Sequence, residues 1–363
     1  MCGTNDAAPD NNAGANTTAS WNRTAAAKYL DSREVWWQAW PVAQRDHGTI
    51  CLSCHTVLPY ALSRPVLRAD LSQQQPTSAE RNMLSSIEKR VTLWNQVQPF
   101  YSGPGMSAES RATESVLNAV ILSSYDARQG RLRAITRNAF DAAWALQLQT
   151  GEQAGAWKWQ VFDLAPWESS ESQYHGAALF ALGLGMAPDH YLDDGKIRAK
   201  VELLRAYLQR VYSAQPMLNR IVLLWASAKW PGLLSSEQRD SLLSSVLSKQ
   251  HEDGGWSLTD LGTWDRSDLR RFARSLLHGS VLETKSDGYA TALVVIALEE
   301  TGVERGQIQL KRGLAWLTEN QDKNQGFWRA YSLNKKRDLT TDVGRFMTDA
   351  ATGYAVLALE KCR

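Results

Sequence analysis

The chain has 363 residues, 44% of them hydrophobic, with 40 Lys and Arg against 38 Asp and Glu and a formal net charge of +2. That balance excludes a strong electrostatic pull toward nucleic acid or an anionic membrane, and the apolar content excludes wholesale disorder. No run of about 18 apolar residues occurs, so the sequence contains no membrane-spanning helix of the usual kind.

Met1-Cys2-Gly3 opens a stretch, reaching Ser20, made almost wholly of Thr, Asn, Asp, Ala, Gly, Pro and Ser. Residues 1–20 therefore read as a flexible tether. Cys2, with Gly3 and the polar tether behind it, looks like the acylated cysteine of a bacterial lipoprotein. The expectation is a periplasmic or outer-membrane-anchored, exported protein that meets the membrane only through this lipid. An incidental cysteine in a polar tail is the alternative. Trp21 to Gln44 reads as helix, because Ala25, Ala26, Ala27 and Leu30 favour it and Val35, Trp36, Trp40 and Ala43 form an apolar stripe.

Cys51-Leu52-Ser53-Cys54-His55 follows. Two thiols three residues apart, with an imidazole directly after the second, can add across the two vinyl groups of one haem and ligate its iron. The motif resembles the haem-attachment site of c-type cytochromes. That resemblance implies one covalent haem c, held by Cys51 and Cys54, with His55 as axial ligand and an exported location. Two other readings stay open: zinc, for which a second ligand pair is missing, and a disulfide or redox dithiol. Trp36, Trp37 and Trp40 pack in the core or cover the haem edge. Beyond His55, Pro59 and Pro65 predict an irregular wrap rather than a long helix. Residues 21–77 hold too little apolar area to fold alone, so this haem-bearing segment is expected to pack on the rest.

From residue 78 to 363 the pattern becomes five helix pairs: 78–98 and 109–126, 131–150 and 172–185, 195–213 and 216–230, 235–250 and 287–301, 307–321 and 348–361. The second helix of each pair turns strongly apolar, as in Tyr289-Ala290-Thr291-Ala292-Leu293-Val294-Val295-Ile296. Helices apolar nearly all round are buried, and the more polar first helices face water. The predicted fold is all-α: an α/α toroid of about five pairs plus the N-terminal haem-binding segment. A repeat is visible in the text. Gln149 precedes Gly155-Ala156-Trp157, Gln250 precedes Gly254-Gly255-Trp256, and Gln321 precedes Gly326-Phe327-Trp328. The Gln can bond backbone at the end of an outer helix, the Gly permits a tight turn, and the Trp packs between pairs.

These three copies look like the QW motif of squalene-hopene and oxidosqualene cyclases and of the wider prenyltransferase and squalene-cyclase repeats. The resemblance implies the toroid and leaves function open. The Asp-x-Asp-Asp acid motif of those cyclases is absent, which makes a standard squalene cyclase an unsuitable reading. Asp193-Asp194 reads as a turn, and Asp287 and Asp349 read as N-caps or first-turn residues of inner helices. No Cys lies between residues 55 and 361, which removes the zinc sites of protein prenyltransferases and lanthionine cyclases. Cys362 reads as a free thiol at a fraying end.

The sixth haem ligand decides between electron transfer and oxidative catalysis. Candidates are Met106, His175 and His47, each of which could also be an ordinary packing or surface residue. A further group, Trp157, Trp159, Asp163, Trp167 and Glu168 with Trp256, Asp260, Trp264 and Asp265, lines the mouth of the ring or packs its turns. The leading expectation is a redox role, with an apolar small molecule in the lumen and a redox partner protein. The alternatives are a non-redox toroid enzyme acting on a terpenoid or glycan with structural cysteines, and a pure binding module.

Overall fold

A computed structural model describes residues 20–262 and 283–360. Among them the chain forms twelve α-helices and one short hairpin. In chain order these are α1 (Arg23–Ala39), the strands β1 (Gln44–Arg45) and β2 (Thr49–Ile50), α2 (Val57–Asp70), α3 (Ser78–Thr92), α4 (Met106–Gln129), α5 (Ala134–Leu146) and α6 (Ser172–Met186). Then come α7 (Arg198–Arg210), α8 (Met217–Ser227), α9 (Ser236–Leu247), α10 (Gly288–Glu300), α11 (Ile308–Glu319) and α12 (Phe346–Glu360). No helix is long and apolar enough to cross a membrane among the described residues.

The helix ends follow local chemistry. Asn22, Thr77 and Ser235 each accept a backbone N–H with the side chain and cap α1, α3 and α9; Ser235 and Gln238 complete a capping box. Asp287 caps α10 by accepting from Tyr289 N and Ala290 N, as its position predicts. Asp194 sits in a polar turn and accepts from Lys196 N, also as expected.

The even-numbered helices pack in a closed cycle: α2 on α4, α4 on α6, α6 on α8, α8 on α10, α10 on α12, and α12 back on α2. Each odd-numbered helix lies against the even-numbered helix that precedes it in this cycle, α1 against α12 included. The five pairs expected from residue 78 onward are present, and α1 with α2 supplies a sixth. Inner helices are buried over nearly their whole length: Tyr289 to Leu298 on α10 and Met347 to Leu359 on α12 are all under water-excluding neighbours.

The repeat turns explain the cycle. Gly155, Gly254 and Gly326 take positive φ of 101°, 91° and 86°, a conformation that glycine adopts at little cost. A Cβ on Gly326 would lie 2.1 Å from the carbonyl of Ala25 on α1; one on Gly155 would meet Leu203 of α7 and one on Gly254 would meet Arg312 of α11. Each turn thus docks on the next outer helix, and the last docks on the first. The three Trp indoles donate to the outer helix just left: Trp157 to Ala143 O, Trp256 to Val246 O and Trp328 to Leu317 O. Gln250 bonds Gly254 O and Gln309 O, while Gln321 bonds Gly326 O and Asn22 O. In the first copy the residue in this role is Gln147, which bonds Gly155 O and Lys200 O, not Gln149, which only reaches Gln147. Gln147 stands eight residues before its Gly155, against four for Gln250 and Gly254 and five for Gln321 and Gly326, so the first turn is the longer one.

The Pro59 and Pro65 region differs from expectation. It is α2, a continuous helix. Pro59 is in the first turn, where its missing N–H has no acceptor to lose. Pro65 lies inside the helix six residues further on, and the helix continues past it to Asp70. The centre of the cycle is filled by aromatic rings. Trp225 of α8 meets Tyr354 of α12, and Trp167 meets Tyr289 of α10 and donates its indole N–H to that hydroxyl at 3.1 Å. The first contact joins two helices that are not neighbours in the cycle, and the second joins the turn before α6 to α10, so both cross its interior.

Candidate functional site

The motif lies between the hairpin and α2, at the start of an inner helix. Cys51 N donates to Ala43 O at 2.7 Å, and the Trp37 indole donates to Cys51 O at 2.8 Å. Ser53, between the cysteines, accepts from Thr56 N and Val57 N and so starts α2. Both thiols are unpaired and buried.

The orientation of His55 follows from a count of hydrogens. Thr56 Oγ1 donates its single proton to Asp349 Oδ2 at 2.8 Å. Its oxygen can therefore only accept from His55 Nδ1, 2.9 Å away. Nδ1 carries the proton and Nε2 keeps a lone pair. The ring stacks on Phe346 at 3.8 Å and 22° and meets Trp37 edge-on at 5.1 Å. Burial, reinforced by Arg33 and Arg337, pushes the imidazole down to about 3, so it is neutral near pH 7.

Asp349 is more than the cap or first-turn residue the sequence implies. It lies within α12 and is fully enclosed, and Oδ1 accepts from Tyr29 OH and Arg33 Nε, both at 2.7 Å. Burial pushes its carboxyl above the ordinary range, opposed by the Arg33 guanidinium and the two hydroxyls. With the Arg33 guanidinium and two hydroxyls aimed at its oxygens, it serves as an anion. Arg33 reaches on to Asp342 at 2.6 Å, near the surface.

Cys51, Cys54 and His55 share one cavity with Trp37, Tyr101, Trp159, Gln160 and Glu168. Its enclosed part is about 40 Å³, room for about three waters. Together with the open solvent at its mouth the space comes to about 440 Å³. Burial pushes the Cys51 thiol up to about 12, and the Cys54 thiol well above its usual value. Neither is the thiolate that redox dithiols use. The Cys51 thiol donates to Leu52 O at 3.8 Å, and Tyr101 shares its cavity. Burial raises Glu168 to about 7. Gln160 Oε1 is buried with no hydrogen-bond partner.

The donor set can be tested against the cofactors it implies. Among the described residues no three His, Cys, Asp or Glu side chains converge on a point that could hold a metal ion. Tetrahedral zinc needs such convergence. Covalent haem does not: thiols meet the macrocycle's periphery and the imidazole its centre. Two unpaired thiols and an imidazole with a free Nε2 are the groups such a haem requires; the fit is one of donor chemistry and not of volume, because the cavity of about 40 Å³ does not hold a tetrapyrrole.

Of the other predicted residues, Trp36 and Trp40 stack on each other at 5.0 Å and flank Phe346; the indole that lines the cavity is Trp37. Met106, at the start of α4, does not line it. His175 is buried on α6 with both ring nitrogens unpartnered, outside the cavity lining. His47 is on the exposed hairpin turn, 3.9 Å from Asp46. Trp159 and Glu168 line the cavity and Trp167 approaches His55 at 6.1 Å. Trp157 and Trp256 pack the repeat turns, and Asp260 bonds His251 at 2.7 Å. Cys2, Trp264, Asp265 and Cys362 lie outside the described residues. Tyr101, Thr56, Phe346 and Gln160 are additions that the sequence reading missed. Trp37, named with Trp36 and Trp40 from the sequence, recurs with Ala26, Leu30 and Arg33 at helical spacing on the buried face of α1.

No protein-family model matches the chain, and no curated protein matches it.

Proposed function

We propose that the chain is a monohaem c-type protein on a squalene-cyclase-like helical ring, with Cys51 and Cys54 as the two thioether positions and His55 Nε2 as the axial donor, and that it works as a haem-dependent oxidoreductase rather than as an electron carrier. The observation that carries the reading is the His55–Thr56–Asp349 chain, which leaves a neutral imidazole with a free Nε2 in the same cavity as two unpaired thiols. The choice of catalysis over electron transfer rests on the lining: Met106, His175 and His47 are absent from it, while Tyr101, Gln160 and Glu168 are present.

Haem, when bound, supplies one-electron chemistry at iron and a position for a small oxidant. The chain does the rest. Trp37 and Phe346 wall the imidazole, one edge-on and one stacked. Glu168, held near 7, takes up or releases a proton at its carboxyl group close to neutrality. Gln160 Oε1 offers an unpaired acceptor, and Tyr101 a hydroxyl donor. The aromatic contacts across the ring interior favour a substrate at the mouth over one in the lumen. Covalent attachment implies export, in keeping with a lipid anchor at Cys2.

The test is carbon monoxide binding. Protein from cells able to attach c-type haem, reduced with dithionite, should shift its Soret band on exposure to carbon monoxide. A six-coordinate spectrum that carbon monoxide leaves unchanged would move the protein to the electron carriers. Colourless protein would end the haem reading.

A further inference from the structure

We infer that Thr56 and Asp349 are positioning residues that fix the proton of His55 on Nδ1 and make its Nε2 an electron-rich donor; this rests on the haem reading only for its second half. The geometry is specific. Thr56 has one proton, given to Asp349 Oδ2 at 2.8 Å, so the 2.9 Å contact to His55 can only be an Nδ1–H donation. Asp349 cannot turn away, because Oδ1 is held at 2.7 Å by both Arg33 Nε and Tyr29 OH. Arg33 is in turn held by Asp342, whose side chain is 52% exposed. A chain of oriented groups thus runs from the surface through a buried cation and a buried anion to the imidazole, and its members come from α1, α2 and α12 and the turn that leads into α12.

The chemical consequence follows from the direction of the bonds. A carboxylate behind the hydroxyl polarises the Thr56 oxygen, which draws the Nδ1 proton toward itself and leaves more electron density at Nε2. An electron-rich axial nitrogen favours the ferric over the ferrous state. The hydroxyl is the only link between anion and ring, so the tautomer and the donor strength should both depend on it.

Thr56→Val removes the hydroxyl while keeping the shape of the side chain, and Thr56→Ser keeps the hydroxyl. In haem-free protein, made in cells without the attachment machinery, 15N NMR of the histidine ring should report a protonated Nδ1 in the wild type and in Thr56→Ser. Thr56→Val should show a tautomer mixture or a protonated Nε2. In haem-loaded protein, Thr56→Val should lose about tenfold in preference of the axial site for ferric over ferrous iron, a rise in midpoint potential of about 59 mV, and Thr56→Ser should restore it. A protonated Nδ1 retained in Thr56→Val overturns the inference, as does a loaded Thr56→Val protein with the wild-type potential. If Thr56→Val fails to fold, Thr56→Ser still decides: an Nε2-protonated wild type or serine variant refutes the chain. Failure of wild-type protein to take up haem overturns the functional reading and leaves the NMR result to judge the positioning role.

Discussion

Replacing Gln321 with alanine tests whether the ring closes through the N-terminal pair. Gln321 Nε2 donates to Asn22 O at 3.0 Å and to Gly326 O at 3.2 Å, and its Oε1 accepts from Asn22 N at 2.6 Å. Two of the three bonds cross from the last repeat turn to the cap of α1. At about 1 kcal/mol per bond the loss is about 3 kcal/mol. Gln147→Ala removes two bonds, to Gly155 O at 3.1 Å and Lys200 O at 3.0 Å, for about 2 kcal/mol. Gln149 is exposed and reaches only its neighbour Gln147, so Gln149→Ala should stay within about 0.5 kcal/mol. Thermal unfolding followed by circular dichroism should rank the losses Gln321→Ala, Gln147→Ala, Gln149→Ala. Hydrogen exchange should show α1 amides losing protection in the first variant alone. Equal losses at Gln149 and Gln147 would refute the assignment of the repeat glutamine. Unchanged protection of α1 in Gln321→Ala would refute closure through the N-terminal pair.

Other outcomes can be stated briefly. Glu168 is raised from 4.5 to about 7 by burial, so between those values the folded protein holds a proton that the unfolded chain has released. Stability should therefore fall as pH rises from about 4.5 to about 7 and stay lowered above it. Glu168→Gln should raise the melting temperature at about pH 8, by at most about 3 kcal/mol in stability, and leave it unchanged at about pH 4; a gain at acid pH instead would contradict the burial assignment. Asp349→Asn takes from Arg33 its buried anion at 2.7 Å and leaves it only the half-exposed Asp342, and should cost about 3 kcal/mol in a chemical denaturation titration. Replacing Met106, His175 or His47 one at a time should leave the haem spectrum of loaded protein unchanged; a switch from low to high spin in any one would identify it as the sixth ligand.

The features written in local sequence were the legible ones. The glycine and tryptophan of each repeat turn impose their geometry on a few residues, and the apolar inner helices announce their burial, so the helix pairs could be placed within a few residues. The cysteine–histidine motif is local in the same way. Helix α2 was missed because prolines were weighed by type, while position decided: Pro59 stands where no hydrogen bond is lost. Gln147 is not legible because the first repeat turn is longer than the other two, which puts Gln149 at the sequence distance nearest theirs. The site's supporting residues were least visible. Thr56 and Asp349 are separated by 293 residues, and only the closing of the ring brings them together. Tyr101 and Glu168 reach the cysteines for the same reason, from the turns that precede α4 and α6.

The central claim is that Cys51 and Cys54 carry a haem. Intact mass of the protein from cells able to attach c-type haem, measured after acid-acetone extraction, tests it most directly. The account predicts an added mass of one haem that survives extraction in the wild type and is absent in the Cys51→Ala, Cys54→Ala double variant. A wild-type mass equal to that of the bare chain, with the two thiols still open to alkylation in denaturant, would contradict it.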